Sequence, residues 1–127
     1  MRLILDTNAV SALIDRDTGL VRRITYIDEL YLPVIVIGEY WMGILNSRSR
    51  EALEQAWRAI RRTTTELPIL ASTAEIYGQI RLELKTTGRP IPDNDAWIAA
   101  LAREHSASIL SRDQHFDHVP GIERIEW

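Results

Sequence analysis

Two carboxylates of this sequence stand beside apolar segments that are expected to be buried. Asp6 follows directly after the run Leu3-Ile4-Leu5, and Glu39 interrupts an apolar stretch that extends from residue 34 to residue 45. A buried carboxylate is costly unless it is hydrogen-bonded, paired with a cation or bound to a metal. The structural alternative is a helix N-cap for Asp6 and an ion pair with an arginine for Glu39. Both acids are therefore candidates either for metal ligation or for a structural role.

Further acids occupy the ends of predicted elements. Asp93 and Asp95 stand at the start of an apolar helical pattern, where Asp93 suits the helix cap and Asp95 tends toward the inward side. Asp113 comes shortly after a short apolar run, and its structural alternative is a turn residue. Asp117 is a weaker candidate for the same role. Asp95 and Asp113 thus join the candidate ligands.

If the fold brings these carboxylates into one pocket, they would form a divalent-cation site. Like charges raise each other's pKa, and a bound cation removes that repulsion. A purely oxygen-based set of ligands selects Mg²⁺, Mn²⁺ or Ca²⁺. Such an ion can lower the pKa of a coordinated water, orient it for in-line attack and stabilise charge on a phosphoryl group. The acidic set therefore indicates hydrolysis of phosphodiester bonds.

Other chemistries lack the residues they need. The chain has no cysteine, which excludes disulfides and thiolate-bound metals and favours a cytoplasmic location. His105, His115 and His118 do not have the spacing of a zinc site, and a surface or packing role is expected for each. The sequence contains no phosphate-binding loop, dinucleotide fingerprint or serine-nucleophile motif.

Length and composition indicate one folded domain over residues 1–127, with 46 % apolar residues and a net charge of −3. We expect no signal segment and no membrane span, because no apolar stretch is long enough. Fourteen of the fifteen basic residues are arginine, and the exception is Lys85. The modest negative charge argues against a general nucleic-acid coat.

Apolar periodicity predicts alternating strands and helices. Strands are predicted at 3–5, 30–32, 67–70, 107–110 and 122–125, and helices at 7–14, 20–27, 34–45, 49–62, 72–84 and 93–105. Ser49 is expected to cap the fourth helix, and Ser72 with Glu75 to form a capping box at the fifth. The alternation predicts a three-layer α/β/α fold with a central parallel sheet. Asp6 and Asp113 would then share the carboxyl-end rim, where such sheets bind ligands.

Four motifs, taken in this order and at these intervals, resemble a PIN domain. They are Leu-Ile-Leu-Asp-Thr-Asn at 3–8, Glu39 in the third helix, Ile-Pro-Asp-Asn-Asp-Ala-Trp-Ile-Ala-Ala at 91–100, and Ser-Arg-Asp-Gln-His-Phe at 111–116 followed by Val-Pro-Gly-Ile at 119–122. More narrowly, the chain looks like a VapC-type toxin of a toxin–antitoxin pair. The resemblance covers essentially the whole chain, and its specificity comes from the combination, since each motif alone is weak.

The resemblance implies an endoribonuclease that depends on Mg²⁺ or Mn²⁺, acts on single-stranded RNA, is inhibited by a small antitoxin protein and often forms a homodimer. Carried over by position, Asp6 and Asp95 would hold the metal most directly, Glu39 the metal or its water, and Asp113 would complete the set. Further candidates for positioning water, phosphate or substrate are Thr7, Asn8, Ser111 and Arg112.

Two alternative functions are a non-catalytic binding module and a receiver-type signalling domain. A PIN-like module that binds RNA or a protein without cutting is expected to have lost one or more acids, and all four are present here. A receiver-type signalling domain would need a paired acid after the first strand and a lysine near the last. Asp6 stands alone there, and Lys85 lies in a helical pattern, so the ribonuclease remains the favoured hypothesis.

The third and fourth helices carry features that these acids do not explain. Trp41, Met42, Ile44 and Leu45 form more apolar surface than one helix needs, so part of it is predicted to meet the antitoxin or a second protomer. Arginines concentrate around the fourth helix, at positions 48, 50, 58, 61 and 62. Most of them are expected to form a solvated face, and guidance of RNA or antitoxin docking are the alternatives.

Overall fold

A parallel sheet of five strands forms the centre of the protein, in a computed structural model that describes residues 1–127. The strands are β1 (Arg2–Leu5), β2 (Glu29–Pro33), β3 (Thr65–Leu67), β4 (Ser108–Leu110) and β5 (Arg124–Ile125). Their order across the sheet is β3-β2-β1-β4-β5, and every neighbouring pair is parallel. The predicted parallel sheet is confirmed.

Six helices connect and cover these strands. They are α1 (Thr7–Ile14), α2 (Thr18–Ile24), α3 (Val34–Leu45), α4 (Arg50–Thr63), α5 (Ala71–Thr87) and α6 (Asp93–His105), and a 3₁₀ turn follows at Gln114–His118. The three-layer α/β/α architecture predicted from the sequence is thereby confirmed. Measured against the width of a bilayer, every helix falls short in length or in apolar character.

Two predicted elements are shifted along the chain, each for a local reason, and the last strand is shorter than predicted, at Arg124–Ile125 rather than 122–125. The third strand lies at Thr65–Leu67 and not at 67–70, because Pro68 has no N–H to continue the pairing. The second helix lies at 18–24 and not at 20–27, since Asp17 caps it by accepting a hydrogen bond from the Leu20 N–H at 3.1 Å. No helical element was predicted at 114–118, where the structure has the 3₁₀ turn.

The capping box predicted at Ser72 and Glu75 is also wrong. Helix α5 begins at Ala71, and the hydroxyl of Thr73 accepts a hydrogen bond from the Leu70 N–H at 3.1 Å. The Ser72 and Thr73 hydroxyls instead donate to the carboxylate of Glu104 on α6. A charged acceptor forms the stronger hydrogen bond, so this contact between helices prevails over the local cap. At α4, Ser49 occupies the N-cap position, but its side chain makes no capping hydrogen bond.

The core fixes the rim of the sheet on which the acids stand. The side chains of Leu3, Ile4 and Leu5 in β1 are fully buried, as are Ile109 and Leu110 in β4. Leu5 pairs with Leu110, and the backbone N–H of Asp6 donates to the Leu110 carbonyl at 3.2 Å. The residues that follow these two strands therefore begin side by side.

Candidate active site

Asp6 is held at the junction between β1 and α1. One carboxylate oxygen accepts the Thr7 N–H at 2.8 Å, so Asp6 does cap α1. The other oxygen accepts the Ser111 hydroxyl at 2.7 Å and the Asn8 amide at 3.3 Å. Burial raises the pKa of Asp6, the Ser111 and Thr7 hydrogen bonds offset part of this, and the charge of Asp113 raises it further. The cap and a ligand role are therefore compatible at Asp6.

Ser111 and Asn8 connect the two halves of the site. Ser111 is fully buried, and its hydroxyl accepts hydrogen bonds from the Asp113 N–H at 2.9 Å and from the Asn8 amide at 3.2 Å. The side-chain oxygen of Asn8 accepts a hydrogen bond from the backbone N–H of Arg112 at 3.2 Å. These contacts bind the start of α1 to the turn after β4. Both residues thus orient the acids, and their roles toward water or phosphate stay predictions.

Asp95 enters the same region from the first turn of α6. Small residues around it, Ala96, Ala99 and Ala100, are completely buried and allow the helix to pack closely. Burial raises the pKa of Asp95 to about 6, with further contributions from the charges of Asp113 and Asp6. Acids from three separate segments therefore interact electrostatically at this end of the sheet.

Glu39 reaches the group from α3. Burial raises its pKa, and the charge of Asp6 raises it further, while the neighbouring side chains of Thr7 and Asn94 lower it in part. No arginine or lysine forms an ion pair with Glu39, so the structural alternative weighed for it is not realised. The structure therefore brings Asp6, Glu39, Asp95 and Asp113 together, although their roles remain predictions.

His115 is the member that the sequence reasoning missed. Its Nδ1 lies 3.2 Å from an Asp95 oxygen and 2.9 Å from an Asp113 oxygen, and ligand atoms of these three residues all lie within 4.8 Å of one another. Burial lowers the pKa of His115, but the Asp95 hydrogen bond and the charges of both acids raise it by more. The only signal in the sequence was its position two residues after Asp113.

Three other polar candidates lie outside the acidic cluster. Asp93 does not cap α6, where Pro92 takes the N-cap position; it contacts the Tyr77 hydroxyl and Arg81, each at 3.0 Å. Asp117 forms two hydrogen bonds of 2.9 Å with the Arg124 guanidinium. The Arg112 guanidinium lies 4.4 Å from the centre of the Trp127 ring and donates to the Trp127 carbonyl at 3.3 Å. Its predicted contact with phosphate would need a different rotamer.

The donor set suits a hard divalent cation. The four acids offer only oxygen atoms, which are the preferred ligands of Mg²⁺ and Mn²⁺. Among the basic side chains, only His115 contacts any of them. Three of the four acids have pKa values raised by burial and by mutual repulsion, so the cluster carries more negative charge than the protein neutralises.

Removing one of these charges is expected to stabilise the metal-free protein. Raising a carboxyl pKa from 3.8 to about 6 lowers the free energy of unfolding by about 3 kcal/mol at neutral pH. Partial exposure to solvent reduces this loss to about 1–2 kcal/mol. Asp95→Asn should therefore raise the Tm of the metal-free protein by about 5 °C at pH 7.5. For the wild type, the Tm should rise as the pH falls from 7.5 toward 5, because only the folded state takes up the Asp95 proton in that interval. Thermal unfolding in EDTA measures both, and a lower Tm for Asp95→Asn would contradict this electrostatic account.

The apolar face of α3 is partly available for a partner. Ile44 is buried, whereas Met42 is 64 % exposed, Leu45 47 % and Trp41 37 %. Three arginines of α4 form ion pairs: Arg50 and Arg58 pair with Glu54, and Arg61 pairs with Glu66 in β3. These arginines are exposed, in agreement with the solvated face expected from the sequence.

Comparison with known proteins identifies the family of this fold. Residues 3–122 match the family model of the PIN domain. The chain is 32 % identical to Toxin FitB of Neisseria gonorrhoeae, with 87 % of each chain covered, and 29 % identical to Ribonuclease VapC1 of Haemophilus influenzae, with 100 % of this chain and 98 % of that protein covered. A crystal structure of FitAcB from Neisseria gonorrhoeae superposes with a TM-score of 0.85 at 28 % identity, covering 97 % of this chain and 96 % of that one. The chain belongs to the PIN domain family.

Proposed function

We propose that this protein is an endoribonuclease that depends on a divalent cation and acts as the toxin of a toxin–antitoxin pair, with residues 1–127 working as one domain. The observation that carries the proposal is the convergence of four carboxylates from separate elements, three of them with raised pKa values. Relatives named as a ribonuclease and as a toxin support the substrate class and the biological role. Because the proposed substrate is RNA, the proposed place of action is the cytoplasm.

Each residue of the cluster has a defined task in this proposal. Asp6 and Asp95 would hold Mg²⁺ or Mn²⁺, and Glu39 and Asp113 would hold the ion or its water. When bound, the ion would activate water and stabilise the charge that develops on the phosphate. Ser111 and Asn8 fix the Asp6 carboxylate through the hydrogen bonds described above. His115 holds Asp95 and Asp113 together and offsets part of their repulsion.

The proposed partners are the RNA substrate and a cognate antitoxin protein, and a homodimer is the proposed assembly. A nuclease that would cut the RNA of its own cell must be held inactive by an inhibitor until the nuclease is released. The exposed part of the α3 face, Trp41, Met42 and Leu45, supplies an apolar surface suited to the antitoxin or to a second copy of the chain.

Cleavage of RNA by the purified, antitoxin-free protein tests the proposal. In the presence of Mn²⁺ we expect single-stranded RNA to be cut at discrete bonds, and the same sequence in a duplex to be spared. Sequencing of the new RNA ends measures both outcomes, and mapping of ends after induced expression then identifies the cellular target. If no RNA is cut across a range of Mg²⁺ and Mn²⁺ concentrations, the protein is a binding module and the proposal is wrong.

A further inference from the structure

A cavity of about 310 Å³ opens beside the acidic cluster, where α1, α3 and α4 meet. Thr7 and Glu39 line the side nearest the acids, and Tyr40, Gly43, Ile44 and Leu53 are among the other lining residues. Because Thr7 directly follows Asp6 and Glu39 belongs to the cluster, a molecule in this cavity would lie immediately next to a phosphate held at the acids.

The chemistry of the lining favours a sugar and base over a phosphate. Glu39 is the only charged residue of the lining, and no lysine or arginine contributes to it. A phosphate would therefore find no positive partner there, whereas an uncharged ring would lie against the apolar side chains of Ile44 and Leu53. The volume falls at the lower end of the range for small-molecule sites, which suits one nucleoside and not a duplex.

Tyr40 gives the cavity an aromatic wall of fixed orientation. Its ring stacks on Trp57, with the ring centres 5.1 Å apart and the planes inclined by 23°. Trp57 is only 4 % exposed, so the core holds this pair in place. Proteins that bind single-stranded nucleic acid commonly stack bases on aromatic side chains, and such contacts tolerate different sequences.

The Thr7 hydroxyl is a polar group at the edge of the cavity, next to Glu39. Its oxygen is buried, and its hydrogen bond toward the Glu39 carboxylate lowers the pKa of Glu39 in part. Buried polar atoms are normally satisfied by the protein, by water or by a ligand. Here the Glu39 carboxylate takes that role, so Thr7 helps to fix the orientation of Glu39 at the wall of the cavity.

We propose that this cavity binds the nucleotide adjacent to the scissile phosphate and thereby sets a base preference at one position of the RNA. The inference rests on the proposed ribonuclease function. It adds a specificity site, lined by Thr7, Tyr40 and Leu53, to a catalytic cluster that by itself does not distinguish bases.

Gly43 allows the cavity to be filled without disturbing the core. It lies one helical turn after Glu39 on the same face of α3, and a Cβ placed on it meets no atom within 4 Å. Gly43→Ala and Gly43→Leu are therefore expected to fold with an equal or higher Tm, since glycine is a poor helix former. Gly38 lies in the same helix with equally open surroundings and does not line the cavity, so Gly38→Leu is the matched control.

The test uses a randomised single-stranded RNA 12-mer with Mn²⁺, and sequencing of the cut ends. We expect wild type and Gly38→Leu to cut at similar rates and with the same base preference at one position beside the cut. Gly43→Leu should cut about tenfold or more slowly and lose that preference, and Gly43→Ala should lie between, as expected for loss of a stacked base. Should Gly43→Leu fold poorly, Gly43→Ala decides the question.

Equal rates and an unchanged preference for Gly43→Leu would overturn the inference and leave the cavity for a side chain of a protein partner. A loss shared equally by Gly38→Leu would also overturn it, because the effect would then belong to the α3 surface. If the wild type cuts no RNA, the proposed function fails. Binding of the labelled 12-mer, measured by fluorescence anisotropy, then tests separately whether the cavity binds a nucleotide. Weaker binding by Gly43→Leu alone would support it, and equal binding would refute it.

Discussion

Asp6→Asn is expected to lower RNA cleavage by at least about 100-fold while the protein stays folded. The carboxylate is the buried centre of the cluster, hydrogen-bonded to Thr7, Asn8 and Ser111. Asparagine keeps an oxygen to cap α1, but it removes the charge that would hold the cation. The substitution also removes the negative charge of a buried carboxyl whose pKa is raised. The loss of activity should therefore not come with a large loss in the free energy of unfolding.

Asp93→Asn is the matched control for this experiment. The substitution is chemically identical, and Asp93 stands only two residues before Asp95 in α6, but its side chain is bound to Tyr77 and Arg81 outside the cluster. Cleavage by Asp93→Asn should stay within about threefold of wild type. Rates on a labelled single-stranded RNA and the Tm of each variant give the comparison. Normal cleavage by Asp6→Asn would sink the assignment of the site.

Removal of divalent ions is expected to stop cleavage, by at least about 1000-fold, and to lower the stability of the folded protein. Protein dialysed against EDTA should regain activity when Mn²⁺ or Mg²⁺ is added, because the ion cancels the repulsion among Asp6, Asp95 and Asp113. An ion at 100 times its Kd adds about 2.7 kcal/mol to the free energy of unfolding. The wild-type Tm should therefore rise on addition of the ion, and that of Asp95→Asn should rise much less.

Protons compete with the ion at this site, which fixes the direction of its pH dependence. With the pKa of Asp95 raised to about 6 in the metal-free state, the carboxyl is charged at pH 7.5 and largely protonated at pH 5. The Mn²⁺ concentration needed for half-maximal Tm increase should therefore rise by up to about tenfold per pH unit below pH 6. Cleavage that persists in EDTA, or ion binding that is independent of pH, would contradict the proposed metal site.

The amino-acid sequence by itself predicted the alternation of strands and helices, and it proposed four acids whose roles stay predictions. The helices at 34–45 and 93–105 were predicted with the bounds that the structure shows, because the apolar pattern of a segment is a local property of the chain. The same logic selected Asp6 and Glu39, since a carboxylate beside or within an apolar segment needs a partner wherever the segment folds. The PIN resemblance rests on those residues and their order.

Only the tertiary structure decided what surrounds the acids. The adjacency of β1 and β4 brings Asp6 next to Ser111, and the 3₁₀ turn carries His115 to Asp95 and Asp113. Neither contact has a periodicity that a sequence would display. The pairing of Thr73 with Glu104, the stacking of Arg112 on Trp127 and the cavity beside Glu39 likewise join residues from distant segments. Such contacts depend on how helices and strands pack, and packing is a property of the whole chain. That a buried carboxylate needs a partner, in contrast, can be read from the apolar residues next to it in the sequence.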